Sequence, residues 1–239
     1  ATPKNMAFLR ALLKSSPALR LCRFCTNTVA KVDISFEENS NTASDIYDKF
    51  NINEIVTVRK LFEARMHLGH KHGVSNQLMK DYIWGLREKI QIFDLDITSE
   101  HLKRALLVAG LIAEKKGVIL FVNSRSQFDR LIRDTATDCG EYYLSPTWRP
   151  GTFTNSQVML KTCRLPDLVV LLNWHTNVQA IRESIMCNIP TVCLTDSDSD
   201  PRLVTYAVPG NDDTPSSVKF FCEAFRDVIR NAKSNVDSE

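Results

Sequence analysis

The side chains with the types and spacing to do chemistry fall into three sets. Thr195-Asp196-Ser197-Asp198-Ser199-Asp200 follows an apolar run, where carboxylates could hold Mg²⁺ for phosphoryl transfer. A metal-dependent phosphatase built there would use Asp196 and Asp198. The stretch departs from the motifs it approaches. Counted from Asp196, a calcium loop needs glycine at the sixth position and glutamate at the twelfth, and the chain has Pro201 and Ala207. Asp200 stands where an aspartate-nucleophile motif ends on threonine or valine, so a polar turn closed by Pro201 is the favoured reading. The second set is His67, His70 and His72 beside Lys71. No carboxylate or cysteine between Met66 and Lys80 completes a zinc site, so no metal is expected. Gly69 and Gly73 point to a tight, closely approached backbone, and the loop's donors suit phosphate and sugar contacts. The third set is Trp148-Arg149-Pro150-Gly151-Thr152-Phe153-Thr154-Asn155. It could stack on bases and grip phosphates, or be a surface loop whose Trp148 and Phe153 plug the domain.

Other enzyme and cofactor signatures are missing. There is no G-x-G-x-x-G, no G-x-x-x-x-G-K-S/T and no G-x-S-x-G. The turn after Val122 is Asn123-Ser124-Arg125-Ser126, without the glycine a nucleotide cradle needs. No catalytic residue, cofactor or small-molecule substrate is therefore expected. A nucleotide-binding regulatory module remains an alternative on sheet topology alone.

The elements that must position these groups read as follows. Thr57 to Met66 suits a short helix, and Tyr82–Gly85 with Lys89–Phe93 a β-hairpin. Thr98 caps a long helix with Leu102, Leu106, Ala109 and Ala113 inward, a face widened by Leu107, Val108 and Leu111 and stopped by Gly117. Val118–Val122 is a continuous apolar run, as in a strand buried on both faces. Ser126-Gln127-Phe128-Asp129 resembles a capping box. Strands follow near Tyr142, at Leu168–Leu172, Thr191–Leu194 and Val204–Val208, with a helix from Thr176 carrying Val178, Ile181 and Ile185 inward. Thr214 and Pro215 open the last helix, with Val218, Phe221, Phe225 and Val228 buried. Alternating βαβα with apolar strands predicts a doubly wound, mainly parallel α/β sheet of flavodoxin-like or Rossmann-like type, with helices on both faces and an N-terminal helix and β-hairpin added. Binding surface then lies at the carboxyl ends of the strands.

The formal net charge of +2 hides an asymmetry. Residues 1–32 hold six basic residues and no acidic one; without them 24 basic residues face 28 acidic, a balance of −4. From Arg59 to Arg130 there are 13 basic and 8 acidic residues, and from Leu165 to Glu239 6 and 11. A nucleic-acid surface should be local and mostly in the first half. The acid-free stretch around Met6–Ser16 has the composition of a mitochondrial transit peptide. Residues 1–32 are expected to be that peptide, 33–56 a polar acidic linker, 57–233 one α/β domain and 234–239 a tail. Cys22-Arg23-Phe24-Cys25 lacks the second pair that zinc requires. The seven scattered cysteines argue against a disulfide framework and for a reducing compartment. No apolar run is long enough to span a membrane.

Six short motifs in order carry a resemblance: His67-Leu68-Gly69-His70, Tyr82-Ile83-Trp84-Gly85, Gly117–Val122, Arg149–Asn155, Leu165-Pro166-Asp167 and Pro209-Gly210-Asn211-Asp212-Asp213. Over about residues 57–233 the chain resembles the small-subunit ribosomal proteins of the S-two type. The resemblance implies a non-catalytic structural protein of the mitochondrial small ribosomal subunit, in the mitochondrial matrix. Its partners would be the small-subunit rRNA and neighbouring ribosomal proteins, with no membrane. Candidate RNA-binding residues are His67, His70, Lys71, His72, Arg87, Arg125, Trp148, Arg149 and Asn155; Gly69, Pro209, Gly210, Asn211, Asp212 and Asp213 form the structural motif. Two departures stand out. Bacterial members carry a long helical hairpin where about ten residues join the Thr-Asn loop to Leu165 here. They also carry Trp-Asn-Pro-Lys-Met where this chain has Val74–Met79, so that Trp and Lys contact is not carried over.

Overall fold

The computed structural model describes residues 49–159 and 164–238. The expected transit peptide, the Cys22–Cys25 pair, most of the expected linker, and Cys163 lie outside the described residues. In chain order the elements are α1 (Ile52–Ile55), α2 (Val58–Glu63), β1 (Leu68–Lys71), β2 (Ile83–Arg87), β3 (Ile90–Phe93), α3 (Leu95–Glu114), β4 (Ile119–Val122), α4 (Asp129–Cys139), β5 (Tyr142–Leu144), α5 (Ser156–Met159), β6 (Leu168–Leu171), α6 (Val178–Met186), β7 (Thr191–Thr195), β8 (Tyr206–Pro209) and α7 (Pro215–Ser238). Among the described residues, no helix is long and apolar enough to cross a membrane.

The main sheet has the order β5-β4-β6-β7-β8, and every pairing is parallel. The chain steps from β4 to β5 on one side and returns to β6 on the other, so β4 and β6 flank the point where the winding reverses. The doubly wound α/β expectation holds. Strand residues alternate between two cores, as the pleat demands. Phe121, Val170, Val192 and Leu194 face α3, α4 and α7; Val122, Val169, Leu171 and Cys193 face α6 and the loop carrying Trp148 and Phe153. Phe221 and Phe225 of α7 are fully buried, each worth roughly 1.5–3 kcal/mol of transfer free energy.

The expected hairpin is present, with a third strand that periodicity did not reveal: β1 joins it in the order β1-β3-β2. Glu88 and Lys89 form its turn, both at positive φ (52° and 67°), the mirror-image geometry that matches strand twist.

Several local expectations need correction. Phe50, Ile52 and Val56 are buried in the main core, so the fold begins inside the stretch read as linker to residue 56. Asp94, not Thr98, caps α3 by accepting from Asp96 N; Thr98 sits buried one turn in, and its hydroxyl donates to Asp94 O. Leu111 faces solvent. The left-handed residue ending α3 is Lys116 at φ 56°, while Gly117 is needed for space: a Cβ there would lie 2.6 Å from Ile112 Cγ2. No side-chain cap forms at Ser126, because that segment turns as a 3-10 helix before α4. Thr176 likewise spends its hydroxyl on Asn173 Oδ1, and Ile185 is exposed while Ser184 points in. The last helix runs to Ser238, through most of the stretch expected as a tail.

Candidate functional site

The carboxyl ends of four parallel strands converge on one polar cluster. Asn123-Ser124-Arg125 follows β4, Asn173 follows β6, Asp196 to Asp200 follow β7, and Gly210 to Asp213 follow β8. The segment from Met66 to Met79, with β1 in its middle, lies across these ends. His70 joins the two parts. Its Nδ1 is 3.0 Å from Asp196 Oδ1 and its Nε2 is 3.3 Å from Asp213 Oδ2. Arg125 bonds Asp213 Oδ1 at 2.7 Å and the Asp212 carbonyl at 3.0 Å, and Asn173 donates to Asp212 Oδ2 at 2.6 Å. Backbone bonds complete the join. His70 N donates to Ser197 Oγ, Asn76 N to Ser197 O, and Asn76 Nδ2 to Ser199 O.

The Pro209–Asp213 turn clamps the same segment. Asn211 N donates to Met66 O, and its Oδ1 accepts from Asp213 N and Thr214 N, which opens α7. The two parts also approach closely at Gly69. A Cβ there would meet Phe93 Cε2 and Ser197 Oγ at 3.2 Å, whereas Gly73 has open space around it.

The contact with Asp196 is the main cause that raises the His70 pKa to about 9; burial opposes it, and the charges of Asp196, Asp198 and Asp213 add to it. That contact is close in distance but lacks hydrogen-bond direction, leaving Nδ1 a buried atom without such a bond; Asp212 Oδ1, 3.5 Å from Arg125 Nη2, is the same. Burial, then the negative charge of Asp196, pushes Asp212 up to about 8, against the pull of Arg125. Ligand atoms of His70, Asp196 and Asp213 lie within 4.8 Å of one another and could hold a divalent cation. Both carboxylates come from the far half of the chain, so the sequence around His70 does not show them. The remaining aspartates of the polar turn are also engaged: Asp198 with His175 at 2.6 Å, and Asp200 with Arg202 at 3.0 Å.

The aromatic loop is anchored. Trp148 and Phe153 are buried and meet edge to face at 4.8 Å, the plugging arrangement. Beneath them lies Glu183 of α6, a residue that sequence reading did not single out. Its carboxylate accepts from Trp148 Nε1 (3.2 Å), Gly151 N (2.8 Å) and Phe153 N (3.0 Å). Burial acts to raise the Glu183 pKa, but these donors outweigh it and hold the carboxyl below its ordinary value. Trp148 is thus unavailable for stacking on a base. The signal that could have found Glu183 is an acid beside the inward positions Ala180, Ile181 and Ser184 of a helix.

The nine candidate RNA-binding residues do not share one surface. His70 and Arg125 meet in the polar cluster. His67 stacks on Phe62 with ring centroids 4.5 Å apart, and burial, then Arg65, lowers its pKa. Lys71, His72, Arg87, Arg149 and Asn155 are exposed, and Trp84 on the hairpin is 77% exposed.

The profile of the family described as Ribosomal protein S2 matches residues 61–164 and 158–232. The two stretches meet where the chain is short between Asn155 and Leu165. Small ribosomal subunit protein uS2m of Bos taurus is 42% identical over 191 residues, covering 78% of this chain and 65% of its own length. The chain thus spans just under two thirds of that relative. Small ribosomal subunit protein uS2 of Ehrlichia ruminantium (strain Gardel) is 31% identical over 219 residues, covering 74% of this chain and 77% of its own. The uS2 protein of Endomicrobium trichonymphae is 28% identical over 228 residues, with 77% and 93% covered.

Proposed function

Because the chain belongs to the ribosomal protein S2 family, in its mitochondrial type, we propose that it is a structural constituent of the mitochondrial small ribosomal subunit. In this reading it works in the matrix, binds the small-subunit rRNA and neighbouring ribosomal proteins, and supports assembly and translation. Residues 1–32 serve as the transit peptide, and the folded part takes no cofactor. The observation that carries the reading is where the family motifs go. His67–His70 and Pro209–Asp213 bond to one another and lock an added three-stranded sheet onto the α/β core. Asp196 and Asp198, which a phosphatase would present to substrate, instead pair with His70 and His175. The role is therefore that of a rigid shaped body, with RNA contacts supplied by the exposed side chains Lys71, His72, Arg87 and Arg149. Phosphate neutralisation by such groups makes binding fall with salt.

The test is sedimentation of a gently lysed mitochondrial extract through sucrose, with and without ribonuclease. Co-sedimentation with the small subunit, abolished by ribonuclease, is expected. Migration as a small free protein in both samples would overturn the reading. Arg149→Glu should weaken incorporation with an unchanged circular dichroism spectrum, since its side chain is exposed; normal incorporation would remove Arg149 from the contact surface.

A further inference from the structure

Between the carboxyl ends of β4 and β6 the winding of the main sheet reverses, and the connections on either side diverge. That geometry opens a crevice, the general place for a ligand in an open α/β sheet. Here the crevice is a cleft of about 500 Å³. Its polar lining comes from Ser124 after β4, Thr147 before the aromatic loop, and His175, Thr176, Gln179 and Arg182 on the turn and helix after β6. Among the described residues no acidic side chain lines it; Asp198 is linked to it only through the 2.6 Å pair with His175. Arg182 is exposed and has no ion-pair or hydrogen-bond partner among the described residues, and the same is true of the Gln179 and Thr147 side chains. The walls are fixed. Ser124 Oγ donates to Asn177 Oδ1 at 2.5 Å, Thr176 N and Oγ1 donate to Asn173 Oδ1 at 3.0 Å, and Trp148 is held by Glu183. The Ser124 and Thr176 hydroxyls spend their protons within the wall, and the donors left open, the Thr147 hydroxyl, the Gln179 amide and the Arg182 guanidinium, fit an anionic sugar-phosphate chain. They do not fit a basic peptide. With Trp148 turned inward, the one exposed aromatic ring among the described lining residues is the imidazole of His175, which pairs with Asp198 at 2.6 Å.

We infer that this cleft is a contact site for the sugar-phosphate backbone of a single RNA strand, with Arg182 as its phosphate-binding cation. The inference rests on the ribosomal reading for the identity of the RNA, but the cleft can be tested apart from it. Photoreactive benzoylphenylalanine is placed at Gln179 in the full chain, and at Arg104 on the opposite face of the sheet as control. Irradiation of the intact small subunit should give a ribonuclease-sensitive RNA adduct from position 179 and none from 104. An adduct to protein alone, or no RNA adduct from subunits that contain the variant, overturns the inference and leaves the ribosomal reading standing.

A solution measurement covers a variant that fails to incorporate. The probe is a fluorescein-labelled oligouridylate of about ten nucleotides, within the range one binding module covers. Arg182→Gln should weaken it about fivefold and lower the slope of log affinity against log salt by about 0.7, the figure for one lost phosphate contact on a single strand. Arg182→Lys should restore the slope. Equal affinity and slope in Arg182→Gln and the parent chain overturn the cleft. If the parent chain never sediments with the small subunit, the ribosomal reading fails, while this comparison still decides the cleft.

Discussion

Two segments are docked on the same α/β core by opposite electrostatic means. The loop of residues 148–155 is held by one buried carboxylate, Glu183, that accepts three N–H groups and has no charged partner among the described residues. The segment of residues 66–79 is held by His70 and backbone amides against a cluster of aspartates that Arg125 also neutralises. In the first case every donor is neutral and the carboxylate's pKa is held down, so nothing titrates near neutral pH. In the second the join depends on an imidazolium. The aromatic loop is therefore held independently of pH near neutrality, whereas the added sheet is fastened by charge and responds to pH and salt.

The largest effect should come from Glu183→Ala. It strands three donors beneath the loop and should lower unfolding free energy by about 3 kcal/mol in urea titration. A smaller loss than that of His70→Ala would break the contrast. His70→Ala should cost about 1 kcal/mol at pH 7, less than a buried charge pair because the side chain is 29% exposed and screened.

His70 titrates at about 9 in the fold against an ordinary 6.5, so its contribution is complete below about pH 6.5 and is lost as pH rises through 9. Asp212, raised from 3.8 to about 8, keeps in the fold a proton that the unfolded chain releases, so it too lowers stability as pH rises between those values. Thermal unfolding should therefore occur at lower temperature at pH 9.5 than at pH 6. His70→Ala should flatten the upper part of that curve, and Glu183→Ala should leave its shape intact. The smallest effect belongs to Arg59→Ala. It breaks an exposed i,i+4 pair with Glu63 at 3.0 Å and should change stability by under about 0.5 kcal/mol.

Apolar runs such as Ile119–Val122 and Leu168–Leu171 made the buried parallel strands legible, because a strand covered on both faces has no polar side to show. The stripe Val218, Phe221, Phe225 and Val228 did the same for the last helix. Caps were less legible. Ser126 and Thr176 have capping side chains, but the first segment winds as a 3-10 turn and the second hydroxyl is claimed by Asn173, both tertiary circumstances. The strand Leu68–Lys71 was hidden because Gly69 and His70 have no alternating pattern; it exists through pairing with Ile90–Phe93.

The candidate site was half legible. His70, Arg125 and Asp213 were each named, but as separate RNA contacts or motif residues and not as one cluster. Glu183 went unnoticed, since its value lies in three donors that arrive from a loop far away in sequence.

Residue patterns alone were enough for the α/β class, the alternation of strands and helices from Val118 onward, and the family. Each rests on local periodicity or on short motifs in order. Packing in three dimensions set the rest: Trp148 faces inward, the histidine and aspartate motifs bond to each other, and a cleft with Arg182, lined by no acid among the described residues, remains open at the reversal of the sheet. Those outcomes depend on distances between residues remote in the chain, which packing sets and spacing in sequence does not encode.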